Sequence, residues 1–140
     1  RPPRLGMVWV AAAGPGTNMV LALASAVLLH GVSLFPATAG IWLTENLYNS
    51  IVINLVLAVF NMLPLPPLDG GRVAVGLLPA SLARPLAGLE RVGLFIIIGV
   101  LFILPLIGDQ LGVDLNLFLW LVQAPVEFLF ERVMIMAGHG

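Results

Sequence analysis

The chain has 140 residues, of which 60% are hydrophobic and only 9% are charged, and its mean hydropathy is +1.08. Since a soluble domain carries about 25% charged residues, this composition predicts a membrane protein in contact with the lipid bilayer. The formal net charge of −1 excludes the basic surface that nucleic-acid binding needs. The absence of cysteine excludes disulfides, thiolate nucleophiles, iron–sulfur clusters and cysteine-ligated zinc.

Hydrophobic segments predict the membrane helices, each of which needs about 20 apolar residues. The last segment is less apolar than the others, because Gln123, Glu127 and Glu131 recur every four residues and share one helical face. It either spans the membrane with that face turned inward or lies at the interface as an amphipathic helix. The four segments are residues 15–35, 47–63, 86–107 and 115–136.

These segments predict an all-α polytopic membrane protein with three to four transmembrane helices in a single membrane domain over residues 1–140. Arginines precede the first segment, separate the second from the third and occur near the end of the chain. Because Lys and Arg concentrate in cytoplasmic loops, all six arginines are expected on the cytoplasmic side if all four segments span. We therefore expect a multi-pass protein of the cytoplasmic (inner) membrane, and the bias to arginine over lysine favours a bacterial source.

Asp69 is the leading candidate for a functional residue. It lies in the string NMLPLPPLDGGR, residues 61–72, where prolines stop a helix and two glycines permit a turn. Non-helical backbone at membrane depth is tolerated only where it is buried in protein or lines a wet cavity, so the string indicates a cavity. The alternative is that Asp69 only caps a short helix beginning near Gly70.

The pattern Asn-x-x-Pro-x-Pro-x-Leu-Asp-Gly-Gly in this string resembles the second signature of the site-2 protease family, the intramembrane zinc metalloproteases of class M50. The resemblance implies that Asp69 is a ligand of a catalytic zinc ion. Upstream, Gly14-Pro-Gly-Thr-Asn18 fits the Gly-x-x-x-Asn element of that family. The residues that the resemblance places around the site are Gly14, Asn18, Asn61, Pro64, Pro66, Gly70 and Gly71.

Two asparagines of these motifs have alternative roles. Asn61 either orients the substrate backbone or a ligand, or makes a helix-capping or interhelical hydrogen bond. Asn18 either ties its helix to a neighbouring helix or supports the site.

The first signature of the family, His-Glu-x-x-His, is absent from this sequence. Its two histidines bind zinc and its glutamate activates water. Neither His30 nor His139 has a histidine four residues away; we expect His30 at the membrane interface and His139 in a disordered tail. Since the chain begins with Arg1 and not with Met, we expect the missing helix upstream, with Met7–Val10 as a short N-terminal strand of the connection.

The resemblance implies that the chain is the C-terminal part of an intramembrane zinc protease, which hydrolyses a peptide bond in the transmembrane segment of a single-pass membrane protein. Zinc would be the cofactor, with ligation incomplete in this chain, because catalytic zinc needs three protein ligands. The alternative is a non-catalytic remnant or pseudoenzyme that acts as an interaction scaffold in the membrane.

Overall fold

The computed structural model describes residues 3–65 and 68–140, apart from the side chains of residues 3, 4 and 118. Every regular element in this part of the chain is helical, which confirms the all-α prediction. The elements are α1 (Pro3–Leu28), a 3₁₀ helix (Leu29–Leu34), α2 (Ala37–Asn61), α3 (Asp69–Leu77), α4 (Ala80–Gly88), α5 (Glu90–Ile98), a π-helical turn (Gly99–Ile103), α6 (Leu104–Leu111) and α7 (Leu117–Met136).

The predicted strand at Met7–Val10 is wrong, because these residues lie within α1. A short apolar run does not distinguish a strand from a buried helical segment, and the three alanines that follow it are strong helix formers. Pro15 accordingly lies inside α1 and not in its first turn. Its ring is buried, so packing offsets the backbone hydrogen bond that a proline cannot donate.

Three helical stretches are long and apolar enough to cross a membrane: Leu5–Leu34, Ala37–Asn61 and Glu90–Leu111. They correspond to the first three predicted segments. The second begins earlier than predicted because polar side chains near its start bond back to the helix itself. Thr44 Oγ1 donates to Gly40 O at 2.8 Å, and Asn46 Nδ2 donates to Trp42 O at 2.8 Å. Helix α7 is not among the three.

Helices α1 and α2 form an antiparallel pair, and α7 packs against both. Alanines on α1 and at the end of α7 allow the helices to approach closely, as small residues do between membrane helices. Ser25 and Ser50 share a hydrogen bond of 2.7 Å across the α1–α2 contact. The buried core consists of Ala22, Ala26, Ile51, Leu55, Val133 and Ala137.

Helix α7 stands alongside α1 and α2 over much of their length. Leu121 lines a cavity with Met62, at the end of α2, and the Phe130 ring is 5.5 Å from the ring of Tyr48, nearer the start of α2. Helix α7 is therefore antiparallel to α2 and parallel to α1. This direction favours a helix upright beside the two spans over one lying flat at the interface.

The direction of α7 corrects the expected distribution of arginines. Arg132 lies in the last part of α7, near the end of α1, whereas Arg4 lies in the first turn of α1. The two arginines are therefore at opposite ends of the bundle, and the expectation that all six lie on one side is wrong for Arg132. The reason is that α7 does not start beyond the end of the third apolar stretch. It starts beside the middle of that stretch, where Leu117 shares a cavity with Val100.

Candidate metal centre

The carboxylate of Asp69 lies against Gly14 of α1. A Cβ atom at position 14 would be 3.0 Å from Asp69 Oδ2, which is closer than ordinary van der Waals contact. Helix α3, which begins with Asp69, packs extensively on α1. The fold thus brings together the two sequence motifs that the family resemblance connects.

Gly70 makes possible the tight turn that leads into α3. The backbone carbonyls of Met62 and Leu63 occupy the space that a Cβ atom at position 70 would need. Gly70 and Gly71 are both buried. The backbone just after α2 therefore meets the beginning of α3, and this contact positions Asp69 beside α1.

Residues 62–65 and 68, the described part of the proline segment (residues 62–68) between α2 and α3, are not helical. Asn61 Nδ2 donates to Leu57 O at 3.0 Å, so its amide bonds back to the last turns of α2. Pro64 is exposed and lines an apolar cavity of about 300 Å³ together with Phe60 and Leu121. Pro66, the other proline assigned to the site, lies outside the described residues.

Asn18 follows Gly14 by one turn of α1 and is half-buried. Its side chain makes no hydrogen bond to Asp69, and the described residues do not include a polar partner for it on α3. The structure therefore brings Gly14, Asp69 and Gly70 into contact, and leaves Asn18 and Asn61 without a described contact to the carboxylate.

Asp69 does not cap α3 with its side chain. The N-cap residue is Leu68, and Asp69 stands in the first helical turn, where a negative charge is stabilised by the helix dipole. The carboxylate is half-buried, and no side chain in residues 5–65 or 68–140 with a described position donates a hydrogen bond to it.

The described residues alone do not complete a metal site. Among them, no three His, Cys, Asp or Glu side chains are close enough together to hold a metal ion. Catalytic zinc requires three protein ligands and an open position for water or substrate. Asp69 can supply one oxygen ligand of such a site, and its carboxylate chemistry suits that role.

The two histidines lie together, far from Asp69. Their rings stack with centroids 4.1 Å apart and an angle of 8° between their planes. His139 is thus held against α1 in an ordered contact, and its prediction as part of a disordered tail is wrong. No sequence signal indicates this pair, because the contact arises only when the ends of α1 and α7 meet.

Comparison with known proteins identifies the family of this chain. The sequence profile of peptidase family M50 matches residues 36–106, which include α2, the proline segment and Asp69. This chain belongs to peptidase family M50. The resemblance predicted from the Leu-Asp-Gly-Gly motif is therefore confirmed.

A curated relative supports membership of the M50 family. The chain is 39% identical over 108 residues to "Putative zinc metalloprotease YwhC" of Bacillus subtilis strain 168. The match covers 74% of this chain and 49% of the relative, so the chain spans about half the length of that protein. No solved structure matches the chain.

Proposed function

We propose that this M50 chain is the C-terminal part of an intramembrane zinc metalloprotease and that Asp69 is one of its zinc ligands. The observation that carries the proposal is the half-buried carboxylate at the start of α3, held against Gly14 and not used as a helix cap. The remaining ligands would come from a His-Glu-x-x-His helix elsewhere in the full-length protein. The relative named "Putative zinc metalloprotease YwhC" is about twice as long as the matched region.

The residues of this chain would position the ligand and shape the approach to it. Gly14 leaves room for the carboxylate, and Gly70 permits the turn that places it. A zinc ion bound there would polarise the scissile carbonyl and lower the pKa of its water. The apolar cavity beside Pro64 and Leu63 would exclude water from the neighbouring part of the site and accept apolar side chains.

The substrate would be the transmembrane segment of a single-pass membrane protein. The chain has three helices that are long and apolar enough to cross a bilayer. The peptide bonds that would reach a site inside a bilayer are those of other membrane-spanning segments. A helical segment must be locally extended before its backbone is accessible to a protease. The non-helical residues 63–65, which precede Asp69, would be the part of the site best suited to accept it.

The decisive experiment compares Asp69→Asn with Asp109→Asn in the full-length protein purified in detergent. Asp109 is an exposed acid near the end of α6, so it is the matched control. Zinc is measured by mass spectrometry of the metal, and cleavage is measured on a single-pass model substrate. We expect one zinc per chain in the parent and in Asp109→Asn, and loss of zinc and of cleavage in Asp69→Asn.

Two results would contradict the proposal. Full zinc retention in Asp69→Asn would remove Asp69 from the ligand set. A full-length parent without zinc and without cleavage would favour the alternative function, a non-catalytic membrane scaffold, which is compatible with the lack of a complete metal-binding group among the described residues.

A further inference from the structure

The end of α7 is fastened to the end of α1 by two reciprocal hydrogen bonds. His30 Nε2 lies 2.6 Å from Ala137 O, and His139 Nε2 lies 2.6 Å from Ala26 O. Because a carbonyl oxygen only accepts, both Nε2 atoms must carry a proton. Each ring therefore bonds to the backbone of the segment that carries the other ring.

The stacked rings can coexist when they are neutral. In the neutral form each imidazole uses Nε2–H for its carbonyl, and the two faces pack at 4.1 Å. A second proton, on Nδ1, makes each ring a cation without changing the Nε2 bond. Two cations at this separation repel one another. Histidine is the side chain that changes charge between pH 5 and 8.

The charged and titratable groups near the histidine pair come from α2 and α7. On α7, Glu127 and Glu131 line a cavity of about 630 Å³ with His139, and Tyr48 lines it from α2. The guanidinium of Arg132 lies 5.0 Å from the centre of the Phe128 ring. Apart from His30, residues 5–34 of α1 and the 3₁₀ helix contain no charged or titratable side chain. Protonation of both rings produces the repulsion.

We propose that His30 and His139 form a pH-dependent latch that holds the end of α7 on α1 when both rings are neutral and releases it when both are protonated. Release would open the cavity between α2 and α7, because His139 and Gly140 form part of its wall. His30 lies 16 residues after Gly14, which is about 24 Å along the helix at 1.5 Å per residue. It therefore does not depend on the proposed zinc site.

Distance measurements between spin labels test the latch. Labels are attached to cysteines at Leu28 and Met136, which are 62% and 73% exposed at the ends of α1 and α7. A reference pair at Val20 and Ile53 reports on the α1–α2 contact away from the latch. The full-length protein in nanodiscs is used, with cysteines outside this chain replaced by serine.

We expect a narrow 28–136 distance distribution at pH 8 and a broader, longer one at pH 5, with no change in the 20–53 pair. In His30→Gln and His139→Gln the distribution should be the same at both pH values, because glutamine keeps an N–H donor and stays neutral. The proposal is overturned if the parent does not change with pH, if the variants change equally, or if the reference pair broadens as well.

Nitrogen-15 NMR of the parent protein keeps the test valid if the variants do not fold. Both rings should have the Nε2–H tautomer at pH 8. An Nδ1–H tautomer at pH 8 would contradict the latch.

Discussion

Gly14 and Asp69 are in contact although one lies in the middle of α1 and the other begins α3. A Cβ atom at position 14 would be 3.0 Å from Asp69 Oδ2, so the present position of the carboxylate depends on the glycine. The atom that would meet a new Cβ is Oδ2, the far end of a flexible side chain, so the carboxylate would move before either backbone does. A change at Gly14 should therefore affect the ligand more than the fold.

Gly14→Ala should weaken zinc binding by the full-length protein by about 10- to 100-fold, the range for residues that support a metal ligand. Gly16→Ala is the matched control, because no atom lies within 4 Å of a Cβ placed at Gly16. Zinc affinity is measured by competition with a chelator, and thermal unfolding is measured in parallel. Equal affinities of the two variants would show that the contact does not position the carboxylate.

Gly70→Ala should destabilise the fold by about 1–3 kcal/mol or more, as overpacking does. Its Cβ would collide with the carbonyls of Met62 and Leu63, and backbone atoms in a tight turn cannot move aside. Gly88→Ala, where no atom lies within 4 Å, should leave stability nearly unchanged. Thermal unfolding followed by tryptophan fluorescence compares the two. A Gly70→Ala melting temperature equal to that of Gly88→Ala would refute the close approach.

The sequence predicted features that depend on local composition. Length and apolarity identified the three long helices, and the Leu-Asp-Gly-Gly string identified the family. The strand at Met7–Val10 was wrong because an apolar run of four residues fits either structure. The pairing of His30 with His139 and the direction of α7 depend on how distant helices pack, and no residue pattern within either segment specifies that packing.

Leu55→Ala should destabilise the bundle by about 2–5 kcal/mol, the cost of a cavity at a buried leucine. Leu55 is fully buried between α1, α2 and α7. The same substitution at Leu57, which is 43% exposed on α2, should cost about 0.5 kcal/mol or less. Equilibrium unfolding in mixed micelles measures both. Similar losses for the two variants would mean that α7 does not cover this face of α2.

The hydrogen bond between Ser25 and Ser50 should contribute a coupling energy of about 0.6 kcal/mol, the average for hydrogen bonds between membrane helices. Asn54 Nδ2 lies 3.4 Å from Ser50 Oγ and also donates to Ser50 O at 2.8 Å, so Ser50 keeps a partner when Ser25 is replaced. Ser25→Ala alone should therefore cost little beyond the lost bond. Unfolding of Ser25→Ala, Ser50→Ala and the double variant gives the coupling, with the exposed Ser33→Ala as control. Strictly additive effects would show that the two hydroxyls do not interact in the bilayer.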